Sequence, residues 1–297
     1  MKHFGTLTAS RMTLAMRNKA FLFFSLIMPL AFFFLFAGIF GKGRPEAVTY
    51  LMGPIISLTV MGSFWGLSAG LVMYREQGIL RRYRLAPLTP ADMLASSIAA
   101  NFILVTPTVI LEIVLARVLF HVTSFGDFLS IAVLVTVAIV SFGSLGLVVA
   151  SVTNTMQETQ VICQIIWFAL LFFSGATFPV AVLPRIVQRF AVFLPATYLI
   201  AGLQKAMVNS TPFWRLGVEL TSMIAWAVLA FFVASQLFRW ESEEKLPRNA
   251  KLWAVATILP FVVLGVWESK YGTVLTESKA IYQSLSSPSG SQSTSPR

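Results

Sequence analysis

The residues whose types and spacing could do chemistry in this chain are few. Glu112 lies in an apolar run, where a carboxylate is costly and marks either an ion or proton path or a structural pair. Arg117 follows five residues later, so the structural pair, or a carboxylate snorkelled to the nearby boundary, is the favoured reading. Asn101 and Gln164 are amide side chains within apolar runs. His3 and His121 are expected on opposite sides of those runs and cannot share a metal, so no metal site is expected. Gly41–Lys42–Gly43 lacks the upstream glycine and the hydroxyl residue of a phosphate loop, so no nucleotide or other cofactor is expected here. No GxSxG, HExxH or aspartate-rich diphosphate motif occurs, and no catalytic residue is assigned. The single cysteine, Cys163, sits in an apolar run and can form no intrachain disulfide.

The elements that must position these groups follow from composition. Of 297 residues, 57% are hydrophobic, 13% aromatic and 11% charged, whereas soluble domains carry about 25% charged residues. The chain is therefore an all-α, multi-pass integral membrane protein. Its net charge of +10 comes from short basic clusters flanking apolar runs. That pattern belongs to cytoplasmic loops and anionic headgroups of the lipid bilayer, and it excludes nucleic acid as a partner.

Six spans are expected at about Ala20–Phe40, Leu51–Met73, Met93–Leu119, Phe128–Ala150, Gln160–Phe178 and Val218–Phe238. The first run is longer than a signal-peptide core of about 7–15 residues and lacks a cleavage site, so it stays as a span. Residues 1–19 form an amphipathic segment, read either as a helix in the headgroup plane or as a basic topogenic flank. Gly62, Gly66 and Gly70, at i, i+4 and i+8, clear one stripe of the second span. A helix-packing seam is the reading adopted, with a substrate-path lining as the alternative. Pro179, Pro184 and Pro195 break the stretch 179–204 too often for a crossing, so it is expected as re-entrant half-helices. With an inside N-terminus, this six-span topology puts twelve basic residues inside and seven in outside loops. Residues 20–244 make the six-span unit and 245–283 a flank with a short seventh span at Leu252–Trp267. Residues 284–297 are expected as a disordered Ser-rich tail.

One densely charged interval, Tyr74–Ser96, separates the second and third spans. It reads Arg75-Glu76-Gln77-Gly78-Ile79-Leu80-Arg81-Arg82-Tyr83-Arg84-Leu85-Ala86-Pro87-Leu88. A helix over about 75–86 would place Ile79, Leu80 and Tyr83 on one face, fit for an apolar cleft on a partner. Arg75, Glu76 and Arg82 would fix register at the rim, and Gly78 would allow close backbone approach. A solvated positive-inside loop is the plain alternative.

Two stretches together resemble the permease subunits of type-2 ATP-binding cassette exporters. The first is this acidic, glycine, basic-turn, leucine, proline pattern ending at Leu85 and Pro87. The second is SGATFPVAVLPRIVQRFAVFLPATYLIAGLQKA, with Gly175, Pro179, Pro184, Pro195 and Tyr198 in the family's places. The resemblance covers about residues 1–240. It implies a coupling helix over 75–86 that docks a separate nucleotide-binding ATPase subunit, which would hold ATP and Mg. It also implies an outer gate formed by the re-entrant segment, and a second permease in a homodimer or heterodimer. Export of a hydrophobic or amphipathic substrate from the cytoplasm across a bacterial inner membrane is the implied function. A polytopic enzyme or a membrane-anchoring subunit is the competing class. The family core ends after the sixth span, so 252–297 is an addition, and no cysteine pair braces the outer loop.

Overall fold

The computed structural model describes residues 2–17, 23–41, 44–83, 88–241 and 250–286, and all regular structure among them is helical. Thirteen α-helices are named here in chain order: α1 (Lys2–Arg17), α2 (Met28–Phe40), α3 (Pro45–Glu76), α4 (Ile79–Tyr83), α5 (Pro90–Leu119), α6 (Phe128–Val152), α7 (Met156–Phe173), α8 (Arg185–Ala191), α9 (Pro195–Val208), α10 (Gly217–Gln236), α11 (Ala250–Ala256), α12 (Leu259–Tyr271) and α13 (Val274–Ser286). Five of them, α3, α5, α6, α7 and α10, are long and apolar enough to cross a membrane. The bent pair α8–α9 would make a sixth if counted as one span.

Local sequence sets the boundaries. α5 opens on a capping box, in which Thr89 accepts from the Asp92 amide at 3.1 Å and the Asp92 carboxylate accepts from the Thr89 amide at 3.1 Å. Asp127 caps α6 through the Ser130 amide at 3.3 Å. Thr155 caps α7, which therefore starts at Met156, ahead of the expected Gln160. A π-helical turn, Phe23–Ile27, leads into α2, whose Pro29 has no N–H to give to Ser25. The start of the expected first span, residues 20–22, lies outside the described residues.

α3 runs through the middle of the bundle and packs against α2, α5, α6, α7 and α9. Met52, Ile55, Ile56, Val60, Met61 and Phe64 on α3 are within 1% of complete burial. Lipid tails are as apolar as these side chains, so association here rests on close packing more than on escape from water. α3 and α6 approach closely, and a Cβ added to Gly146 would lie 2.9 Å from the Phe64 Cα. Several serines in this core, among them Ser57 to the Gly53 carbonyl at 2.8 Å, bond within their own helices.

The glycine stripe of α3 serves differently from the expected packing seam. A Cβ at Gly62 or Gly70 would meet nothing within 4 Å, so no helix among the described residues presses on them. The seam is on α6 instead, at Gly143 and Gly146. The stretch expected as one seventh helix, Leu252–Trp267, is two helices broken at Thr257–Ile258. Pro260 accounts for the break, because its ring clashes with the carbonyl four residues back, at Ala256, where α11 ends. α13 then extends to Ser286, into the stretch expected as tail, and 287–297 lie outside the described residues.

This packing makes a contrast between two glycines. Gly146→Ala should cost about 1–3 kcal/mol by overpacking, read as a lowered melting temperature of the detergent-solubilised protein, while Gly62→Ala should leave it unchanged.

Candidate functional site

At one end of the bundle α3 stops at Glu76, and Gly78, with φ of +68°, turns the chain into the short α4. A positive φ there suits glycine. Leu80 is completely buried and anchors α4 against its own bundle, so it is not free for the partner face the sequence placed it on. Ile79 and Tyr83 are half-buried, while Arg81 and Arg82 point outward. Arg84, Leu85 and Pro87, the rest of the expected coupling helix, lie outside the described residues.

Arg75 also turns inward instead of standing at a rim. It is 3% exposed and donates to the Ala150 carbonyl at 3.0 Å and the Thr153 carbonyl at 2.6 Å, at the C-terminal end of α6. Arg239, beyond α10, donates to the same Thr153 carbonyl at 2.6 Å and to the Asn154 side chain at 2.9 Å. The final carbonyls of a helix lack intrahelical partners and carry the negative end of its dipole, so two guanidinium groups are the complement they need. Glu76 completes the arrangement by accepting from the Met156 amide at 2.8 Å, at the positive N-terminal end of α7. The turn between α6 and α7 is thus held from three sides by groups flanking α4 or following α10.

Sequence reading missed Arg239, Thr153 and Asn154. The turn carries no basic residue, yet Thr155 and Glu158 form the spacing of a helix cap, with the Asn154 amide donating to Glu158 at 2.8 Å.

Beside this turn α1 packs on α5, with Leu7 and Arg11 buried, so it is a packed helix of the bundle. Arg11 donates to the Met93 sulfur at 3.0 Å and sits 5.6 Å from the centre of the Tyr74 ring, a cation–π contact. Arg11, Gly66, Tyr74, Ile79 and Asn101 line a cavity of about 230 Å³ here. Asn101 is 5% exposed, and its side-chain nitrogen has no hydrogen-bond partner among the described residues.

Deeper in the bundle Glu112 is fully buried, and its carboxyl accepts from the Thr59 hydroxyl at 2.5 Å. It neither pairs with Arg117 nor snorkels outward. Residues five apart fall on different faces of a helix, which takes Arg117 to the exposed side. Gln164 is half-buried on α7. His3, in α1, and His121, beyond α5, lie toward opposite ends of the bundle, and no cluster of potential metal ligands occurs among the described residues.

The other end carries the proline-broken segment. Gly175 has φ of +96°, and a Cβ there would meet Val180 at 2.5 Å. Pro179 and Pro184 precede a 3₁₀ turn and α8, and Pro195 begins α9, which meets α8 at 91°. That corner is braced: the buried Tyr198 hydroxyl donates to the Val192 carbonyl at 2.8 Å and Thr197 to the Ala191 carbonyl at 2.6 Å. Phe261 of α12 packs 5.9 Å from the Tyr198 ring and 4.8 Å from Trp226. Lys205 pairs with Glu219 at 2.6 Å and also with Glu277, joining α9 to α10 and α13.

The shared Thr153 carbonyl makes Arg75 and Arg239 energetically coupled. Arg75→Met should destabilise the fold by about 1–3 kcal/mol, and the double variant with Arg239→Met should depart from additivity by about 0.5 kcal/mol or more, as read in a double-mutant cycle of thermal or denaturant unfolding.

Comparison with known proteins adds an independent finding. A family profile described as ABC-2 type transporter matches residues 2–208, which takes in α1 through α9. The chain is similar to a Bacillus subtilis (strain 168) protein named as a transport permease, YvfS, at 22% identity over 239 residues, 79% of this chain and 96% of that protein. It is also similar to Nodulation protein J of Rhizobium meliloti (strain 1021), at 28% over 99 residues, 33% of this chain and 37% of the relative. The Linearmycin resistance permease protein LnrN of Bacillus subtilis (strain 168) matches at 21% over 182 residues, 61% of this chain and 47% of the relative.

Proposed function

The chain belongs to the ABC-2 type transporter family, and from that premise we propose that it is the membrane permease of an ATP-driven exporter for hydrophobic or amphipathic molecules. It works beside a second permease, identical or related, and with separate nucleotide-binding subunits that hold ATP and Mg. The end carrying α4 faces the cytoplasm of a bacterial cell, a reading supported by the twelve-to-seven distribution of basic residues.

The coupling role of α4 rests on one observation: Arg75 and Glu76, just before it, are bonded to the α6–α7 turn while Arg81 and Arg82 stay exposed. A nucleotide-binding subunit that grips the exposed face and closes on ATP would push α4, and the push would reach the ends of α6 and α7 together. Arg75 and Glu76 act as positioning residues in this scheme, and Ile79, Arg82 and Tyr83 meet the partner. Rigid-body displacement of packed helices then switches the pathway.

Cargo class is supported by an exposed apolar face on α7. Val161, Ile165, Phe168 and Phe172 run along α7 at helical spacing and are each at least 44% exposed. Trp167, on the other side of the same helix, packs on Phe64 and Trp65 of α3, which leaves this apolar face turned outward from the bundle. Between two permeases such a face makes an apolar route suited to amphipathic cargo. The braced α8–α9 corner closes the far end as a gate.

The double variant Ile79→Asp with Arg82→Glu tests the docking face. It should still extract as a folded helical protein by circular dichroism, yet retain at least about tenfold less of its nucleotide-binding partner on co-purification, as expected for losing an interface anchor. Unaltered co-purification and transport would sink the coupling assignment.

A further inference from the structure

Beyond residue 208, outside the family match, the last helix among the described residues is α13, which packs on α9 and on the 3₁₀ turn Val180–Val182 at the end of the bundle opposite α4. Between α13 and α8 lies a cleft of about 460 Å³. α8 gives it Arg185, Gln188 and Arg189, the i, i+3 and i+4 positions of one helical face, and α13 gives it Lys279, Tyr282 and Gln283. Among the described residues no carboxylate lies within ion-pair distance of Arg185, Arg189 or Lys279. The nearby acid of α13, Glu277, is engaged by Lys205 on the far side of the helix. Gln188 is buried, and its side-chain nitrogen donates to the Leu183 carbonyl at 2.7 Å, which fixes α8 over the loop before it.

Three cations converging without a counter-charge repel one another, and a polyvalent oxyanion between them would offset that repulsion. Guanidinium groups present forks of donors matched to phosphate oxygens, and lysine adds a point charge. The surroundings indicate where such a phosphate would sit. Ile186 and Phe190, off the cationic face of α8, are 70% and 63% exposed, and Val182 just before them is 54% exposed. A short helix with cations toward a cleft and bare apolar side chains on another face suits the boundary between acyl chains and headgroups.

We propose that this cleft binds a phosphate group, carried by a lipid headgroup or free in solution, and that the bound phosphate ties the terminal helix α13 to the bent α8–α9 segment. The site draws on residues outside the α4 region and stands independently of the export reading.

The test uses the purified full chain in detergent, with binding followed by native mass spectrometry and thermal melting. Phosphatidylglycerol should bind and raise the melting temperature, and phosphatidylcholine, with no net charge, should do so far less. The triple variant Arg185→Gln, Arg189→Gln, Lys279→Gln should bind phosphatidylglycerol about tenfold or more weakly, in line with the loss of charge-assisted contacts. Should that variant fold poorly, Lys279→Gln alone, at a half-exposed position, should weaken binding in the same direction. A control variant at exposed cations elsewhere, Arg117→Gln with Lys270→Gln, should bind as the unaltered protein does. Displacement of the lipid by millimolar inorganic phosphate would identify soluble phosphate as a ligand of the same site, and failure to displace it would assign the lipid. Equal phosphatidylglycerol binding by the unaltered protein and the triple variant, or equal weakening in the control, would overturn the proposal.

Discussion

The carbonyls at the C-terminal end of α6 are the constraint on which one whole end of the bundle depends. A helix that ends among packed neighbours leaves carbonyls without partners, and an unpaired buried carbonyl costs about 1–3 kcal/mol. Arg75 and Arg239 supply the donors, and both converge on Thr153. Their burial would be prohibitive for free cations, and it is sustained here because hydrogen bonds and the helix dipole substitute for water. Meeting that need fixes the approach of α3, the turn into α7 and the segment after α10 relative to one another. α4 follows directly on this junction, which gives it a rigid seat.

The opposite end solves its backbone problem by other means. Prolines prevent a continuous helix, so the chain bends, and the freed carbonyls at the corner find Tyr198 and Thr197 within a few residues. Such a corner has few alternatives for its hydrogen bonds, and it can move only as a unit. Lys205, Glu219 and Glu277 add a polar tie that reaches α10 and the terminal helix.

Much of this was legible in the sequence, and the reason is physical. The membrane imposes length and hydropathy on α3, α5, α6, α7 and α10, so their existence and approximate bounds followed from composition alone. The proline-broken segment was equally legible, because Pro179, Pro184 and Pro195 exclude a plain crossing. What sequence could not supply is the rotation of each helix about its own axis and the partner that each polar group finds. Arg75 was expected at a docking rim because it neighbours other charges, yet its direction is set by α6, some 75 residues later in the chain. Glu112 was expected beside Arg117 because they are close in sequence, whereas its partner, Thr59, is on another helix. Glycine stripes mislead in the same way: Gly62 and Gly70 show that a backbone is bare, and only the assembled bundle shows that α6 approaches α3 through Gly146 instead.

The segment beyond the family match is woven into the core rather than appended to it. Phe261 is 1% exposed and sits between Tyr198 and Trp226, and a Cβ at Gly265 would lie 2.6 Å from the Phe193 Cε1. α12 therefore completes the wall behind the α8–α9 corner, and removing it would uncover the Tyr198 ring. A corner backed by α12 and tied by α13 has less freedom than one facing lipid alone. Any opening at that end must carry α12 and α13 along or part them from α9, so the terminal segment sets how far the corner can move.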